Sequence, residues 1–326
     1  MRRWPTVLLL ALLVAGLLGA CPGDQVGSAI QEEGGPPEGR GPGGDGGGGG
    51  EEEAEPVQVE LLEAGAEPRQ ELRLKVAEGS QQQVTMRVTM NLVQEIDGQA
   101  RPPVVIPPVD LGLLVQVGRQ RGPNIHAEFA YQSVTIVDEG TADPAVVQGM
   151  RQSGIERLAE LTGEMFVNTR GELLDASVDL PADFPAQLAE FVNQIESQLR
   201  NLAVPFPAEP IGAGARWSAV TSVTVAGIEA ETRSTYQLLE RTGDTYKIAV
   251  TVEQTAPEQT VQSQGTEALV REFVNRGSGN ADGDLTRMLP VASTVRTEGT
   301  QVMEVTQGTE SGTLRQRLTM EVTLRT

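Results

Sequence analysis

Val84-Thr85-Met86-Arg87-Val88-Thr89-Met90-Asn91-Leu92 alternates apolar and polar residues at every step. A period of two places Val84, Met86, Val88, Met90 and Leu92 on one face of an extended strand. Thr85, Arg87, Thr89 and Asn91 fall on the other. A strand of this kind is half buried and belongs to an antiparallel sheet with one covered face. Upstream, Leu72, Leu74 and Val76 repeat the alternation, and Gly79-Ser80 between the two runs predicts a hairpin. Asp97-Gly98 ends the second strand.

The pattern continues downstream. Pro102-Pro103-Val104-Val105-Ile106-Pro107-Pro108 reads as an extended polyproline connection, because four prolines remove ladder donors from a central strand. A stiff lip over a cavity is the alternative. Strands follow at Leu111–Val117 and Ile125–Val137, with His126 directed to solvent or a rim. Glu164–Val167 and Glu172–Leu180 form a further hairpin. In the second half, Trp217–Ala226 pairs with Glu229–Arg241 across Gly227, and Tyr246–Gln254 follows. Glu267–Asn275 suits either a strand or a helix, and Arg276–Asp284 reads as a glycine-rich loop. Thr294–Thr306 and Thr313–Leu324 make the last hairpin.

Two stretches have helical period instead. Asp143-Pro144 opens the first as N-cap and first-turn proline. Its apolar stripe is Val147, Met150, Gly154, Leu158 and Leu161. Asp183 caps the second, and Leu188, Phe191, Val192, Ile195, Leu199 and Leu202 share one face until Pro205 stops it. The expected fold class is therefore α+β, mainly antiparallel β. It is a strongly curved sheet or unclosed half-barrel, with the two amphipathic helices covering its concave side.

The N-terminal segment supplies an address. Arg2 and Arg3 precede an aliphatic run from Val7 to Leu18, and Leu18-Gly19-Ala20 lead to Cys21, the one cysteine of 326 residues. The run is shorter than the roughly 20 residues a membrane span needs. A positive start, a short apolar core and small residues at the cut describe a secretory signal peptide. These residues resemble the lipobox of bacterial lipoproteins. That resemblance implies cleavage between Ala20 and Cys21 and acylation of Cys21. Each buried methylene contributes about 0.8 kcal/mol, so two or three chains hold a protein stably at a membrane. The alternative is an ordinary signal peptide followed by a free thiol. Residues 21–56 then form a Gly/Pro/Glu-rich tether with an r.m.s. span of roughly 30–35 Å. The β-rich domain occupies 57–326, as one unit or as half-domains 57–204 and 205–326. Pro22 after the cysteine favours the outer membrane of the cell envelope.

Composition excludes several classes. A formal charge of −20 opposes nucleic-acid binding and polybasic attachment to lipid. The aromatic content of 3% leaves few stacking platforms. One histidine and one cysteine do not make a zinc site of usual composition. No Gly-x-Ser-x-Gly elbow or Gly-Lys-Ser/Thr phosphate loop occurs. Aligning Gly283 with a calcium-loop glycine puts Ser278 and Leu289 at ligand positions they do not suit. No cofactor, metal or catalytic residue is assigned.

Pro205-Phe206-Pro207-Ala208-Glu209-Pro210-Ile211-Gly212-Ala213-Gly214-Ala215-Arg216-Trp217, followed by Gly277-Ser278-Gly279 and Leu289-Pro290, resembles an uncharacterised family of β-rich bacterial lipoproteins. More loosely, the order of elements is similar to half-barrel lipoprotein carriers and lipid-binding lipoproteins. That second resemblance implies a non-enzymatic protein holding an apolar or amphipathic ligand between sheet and helices. Its expected cavity lining is Met150, Leu158, Leu188, Phe191, Val192, Ile195 and Leu199. The alternative is a structural or interaction lipoprotein that uses the sheet surface or its edges.

Overall fold

Alternation governs the observed chain far beyond its opening strand. The computed structural model describes residues 57–184, 204–225, 227–263, 266–307 and 310–326. Fourteen strands occur among them. They are β1 (Gln58–Glu63), β2 (Gln81–Ile96), β3 (Gln99–Ala100), β4 (Val104–Arg121), β5 (Asn124–Ile136), β6 (Thr162–Asn168) and β7 (Leu173–Asp179). The second half adds β8 (Arg216–Val225), β9 (Ile228–Thr242), β10 (Thr245–Thr255), β11 (Gln259–Ser263), β12 (Thr266–Asp284), β13 (Ala292–Gln307) and β14 (Glu310–Arg325). They form one antiparallel sheet in the order β1-β8-β9-β10-β12-β13-β14-β2-β4-β5-β6-β7, with β11 beside β12 and β3 beside β2. β1 and β7 end the path, so the sheet is not closed.

The sheet curls strongly. Leu74 N–H donates to Thr169 O at 2.7 Å, and the next amide, Lys75 N–H, donates to Leu285 O at 2.6 Å. Thr169 follows β6 and Leu285 follows β12, six steps apart along the sheet. A flat sheet would separate those strands by about 29 Å. Phe206 N–H reaches Arg170 O at 2.7 Å, while Trp217 Nε1 on β8 donates to Pro205 O at 2.7 Å. Residues 64–76 and 204–212 thus bridge the two arms and close one end of the inner space. Leu72, Leu74, Val76, Phe206 and Ile211 are buried in that plug. Phe206 meets Tyr246 edge-on at 5.3 Å, and Trp217 stacks on Tyr236 at 5.4 Å.

This arrangement corrects the expected fold class: it is mostly antiparallel β, and among the described residues no pair of amphipathic helices covers the sheet. The first helical stretch is a short α1 (Pro144–Gln152) followed by a 3₁₀ segment, Ile155–Glu160. Asp143 caps α1 as expected, accepting from Ala145 N–H at 2.8 Å. Gly154, at φ 78°, breaks the stripe between the two pieces. The 3₁₀ segment packs on β5, covering a flank of the sheet. The second predicted helix lies outside the described residues from 185 to 203.

Three strand expectations also change. Leu72, Leu74 and Val76 alternate in burial as read, yet they join no ladder; they form the plug and do not pair with β2 as a hairpin. The Pro102–Pro108 run enters β4 as strand from Val104 onward, with Leu92 opposite Val104 and Met90 opposite Ile106. Pro107 and Pro108 are tolerated because a bulge falls there, and β5 reaches only Val109. Arg276–Asp284 is the second half of β12, not a loop. Its glycines allow close approach: a Cβ at Gly283 would lie 2.0 Å from the Tyr246 ring.

Candidate site on the inner face of the sheet

Period two sends every second side chain of β12, β13, β14 and β2 inward. At one level the inward residues are Phe273, Gln301, Gln316 and Gln94, directly opposed across the four strands. The three glutamines are buried, at 6%, 1% and 7% exposure respectively. Directly opposed residues on antiparallel strands lie about 4.5–5.5 Å apart, so the amides form a row.

Apolar surface flanks the row on both sides. Toward the β13–β14 turn stand Met303, Leu314 and Ile96, in a cluster with Ile228, Val261, Ala268, Val270 and Val305. Toward the plug stand Leu318 and the buried Leu92, then Met320 and Met90; Leu318, Met320 and Met90 belong to the main core. The polar band extends sideways. The Asn275 side chain lies over Gly299, whose added Cβ would sit 3.4 Å from Oδ1. Gln254 opposes Asn275, and its Nε2 donates to Thr232 Oγ1 at 3.0 Å. The inner face therefore has two apolar regions separated by a belt of amides and hydroxyls on six neighbouring strands.

The belt is under-satisfied. Gln316 has no hydrogen-bond partner for either Nε2 or Oε1, and Gln94 Nε2 and Asn275 Oδ1 are also unpartnered among the described residues. Gln301 Nε2 contacts the weak acceptor Met303 Sδ, at 3.2 Å. A buried amide group without a partner costs about 1–3 kcal/mol. Native proteins pair nearly all such groups, so an unpaired row of four atoms on three residues is unusual and calls for a physical reason. The positions around it are neutral. Glu304, Arg271 and Glu258 sit on the outer surface, where Arg271 bonds both acids and holds the Glu304 carboxyl below its ordinary range.

A second concavity beside the plug, about 240 Å³, is lined by Ser80, Gln81, Gln82, Val115, Val117, Thr286, Arg287 and Met288. It falls below the roughly 300–1,000 Å³ of small-molecule sites. Gln82 is already committed there, donating to Leu289 O and accepting from Leu289 N–H, each at 2.9 Å.

Of the expected cavity residues, Met150 and Leu158 are packed in the main core. Leu188, Phe191, Val192, Ile195 and Leu199 lie outside the described residues, as do Ala20 and Cys21. His126 faces outward against Phe166, with Nε2 at 3.1 Å from Glu164 Oε2. Among the described residues no group of three or more His, Cys, Asp or Glu is placed to hold a metal. Sequence reasoning missed the amide row, although its signal was present. Gln316 falls in phase between Leu314 and Leu318, and Gln94 follows Leu92 in phase.

Residues 188–314 match a family model described as a family of unknown function, DUF6263. The match takes in the Pro205–Trp217 segment, β8 to β13 and the start of β14, and so includes Asn275 and Gln301. No curated protein matches the chain.

Proposed function

We propose that this protein is a membrane-tethered lipoprotein of the bacterial cell envelope that binds an amphipathic molecule on the inner face of its sheet, without catalysing a reaction. The observation that carries the reading is the buried, unpartnered amide row between two apolar regions. Apolar surface on both sides accepts hydrocarbon, at about 25 cal/mol per Å² removed from water. The amides between accept the polar part of the same molecule. Gln, Asn and Thr bind and orient, and none of them is an acid–base group near neutral pH. The Cys21 segment adds the address. An acylated N-terminus followed by an extended tether would hold the domain near a bilayer, where amphiphiles reside.

Native mass spectrometry of the full chain, purified from its membranes in mild detergent, tests this. The expected spectrum carries an adduct that organic solvent removes and added lipid restores. A protein with no adduct, which takes up none of the lipids offered, contradicts the proposal.

A further inference from the structure

The inner belt also restricts what kind of amphiphile fits, an inference that rests on the binding reading above. We infer that the ligand is uncharged and carries an amide or hydroxyl group beside its hydrocarbon, as monoacylglycerols and N-acyl amides do. The argument is one of complementarity. Gln316 offers an unpaired donor and an unpaired acceptor, Gln94 an unpaired donor and Asn275 an unpaired acceptor. A group that both donates and accepts satisfies this set, whereas a carboxylate or phosphate only accepts and leaves Gln316 Oε1 and Asn275 Oδ1 unmet.

Charge sharpens the choice. Inward positions on the row and its neighbouring levels include Phe273, Asn275, Leu92, Ile96, Leu314, Leu318 and Met303, with the glutamines themselves. None offers a cation. An ionised headgroup brought here would be buried without a counter-ion, which is far more unfavourable than burying a neutral group. The β14 arginines beside the row, Arg315 and Arg317, alternate with Gln316 and so belong to the outer face.

Competition among defined probes tests the inference. The detergent-purified full chain is incubated with equal amounts of 1-monooleoylglycerol, N-oleoylethanolamine, oleate and dioleoylphosphatidylglycerol, and adducts are counted by native mass spectrometry. The two neutral lipids are expected to exceed each anionic one at least tenfold. In the Gln94→Leu/Gln316→Leu variant their uptake should fall at least fivefold, with oleate unchanged. Trp217 emission reports whether that variant is folded, and the wild-type comparison stands without it. Equal or preferred uptake of oleate or phosphatidylglycerol overturns the inference alone, as does undiminished neutral uptake by a folded variant. Uptake of no probe at all overturns the binding reading as well.

Discussion

Gln316 is the most isolated member of the amide row. It is 1% exposed, both ends of its amide are unpaired, and the positions two before and two after it are leucines. Gln316→Leu should therefore stabilise the ligand-free protein, by about 1–2 kcal/mol, since the desolvated amide is removed with little change of shape. Chemical denaturation followed by Trp217 fluorescence measures it. Added ligand should then stabilise the wild type more than the variant, because binding to the folded state raises stability by mass action.

The tyrosines make a second prediction at this scale. The chain has three, Tyr131, Tyr236 and Tyr246, and all are buried. Burial disfavours the phenolate and pushes Tyr131 and Tyr236 up to about 12, with Tyr246 raised further in the same direction. A pKa raised on folding adds stability that is complete below the unfolded value near 10 and is lost as pH climbs through the folded value. Phenolate absorbance near 295 nm should thus stay absent in the folded protein at pH 10.5 and appear on unfolding. Ordinary titration near pH 10 in the folded protein would show that these rings are solvated.

At the level of elements, the bridging segments matter more than the helix. Residues 204–212 tie the β6–β7 turn to β8 through Phe206, which packs against Trp217 and Tyr246. Phe206→Ala should lower stability by about 3–5 kcal/mol, as for other large buried aromatics, and shift Trp217 emission to the red. Asp143→Ala removes the one side-chain cap of α1 and should lower stability by only about 1 kcal/mol. That contrast, measured in the same denaturation series, separates elements that bridge the two arms of the sheet from one that covers its flank. Similar losses for both variants would contradict this division.

The strands were legible because burial acts on one face at a time and leaves a period of two, as in β2, β5, β13 and β14. What the sequence concealed was of three kinds. Pro107 and Pro108 looked incompatible with a strand, because a bulge and the end of a neighbouring ladder are tertiary facts. Gly277, Gly279 and Gly283 looked like a loop, because without side chains they break the apolar pattern that β12 otherwise keeps. The plug residues Leu72 to Val76 had the alternation of a strand but find their partners in loops of both arms, which no local pattern encodes. The amide row was legible in phase, as single polar residues at inward positions. Its assembly across β13, β14 and β2 depends on register, which only the fold supplies.

For the whole molecule, curvature is what takes one face of the sheet out of water. A flat sheet would place Thr169 and Leu285 far apart, and the amide row would lie on an open surface where water satisfies it. Curling, with one end plugged, buries the row and leaves its amides without partners among the described residues. The tether proposal belongs to this scale too. Cys21→Ala should abolish incorporation of labelled palmitate and release the protein from membranes, leaving the domain's fold unchanged. Persistent labelling would contradict acylation at Cys21.

The most direct measurement is NMR of the glutamine side-chain amides in ¹⁵N-labelled protein as 1-monooleoylglycerol is added. The Gln316 and Gln94 NH₂ resonances should shift in step with occupancy, while those of the outward Gln81 and Gln83 stay in place. Binding that moves the outward amides and leaves Gln316 and Gln94 still would contradict a site on the inner face.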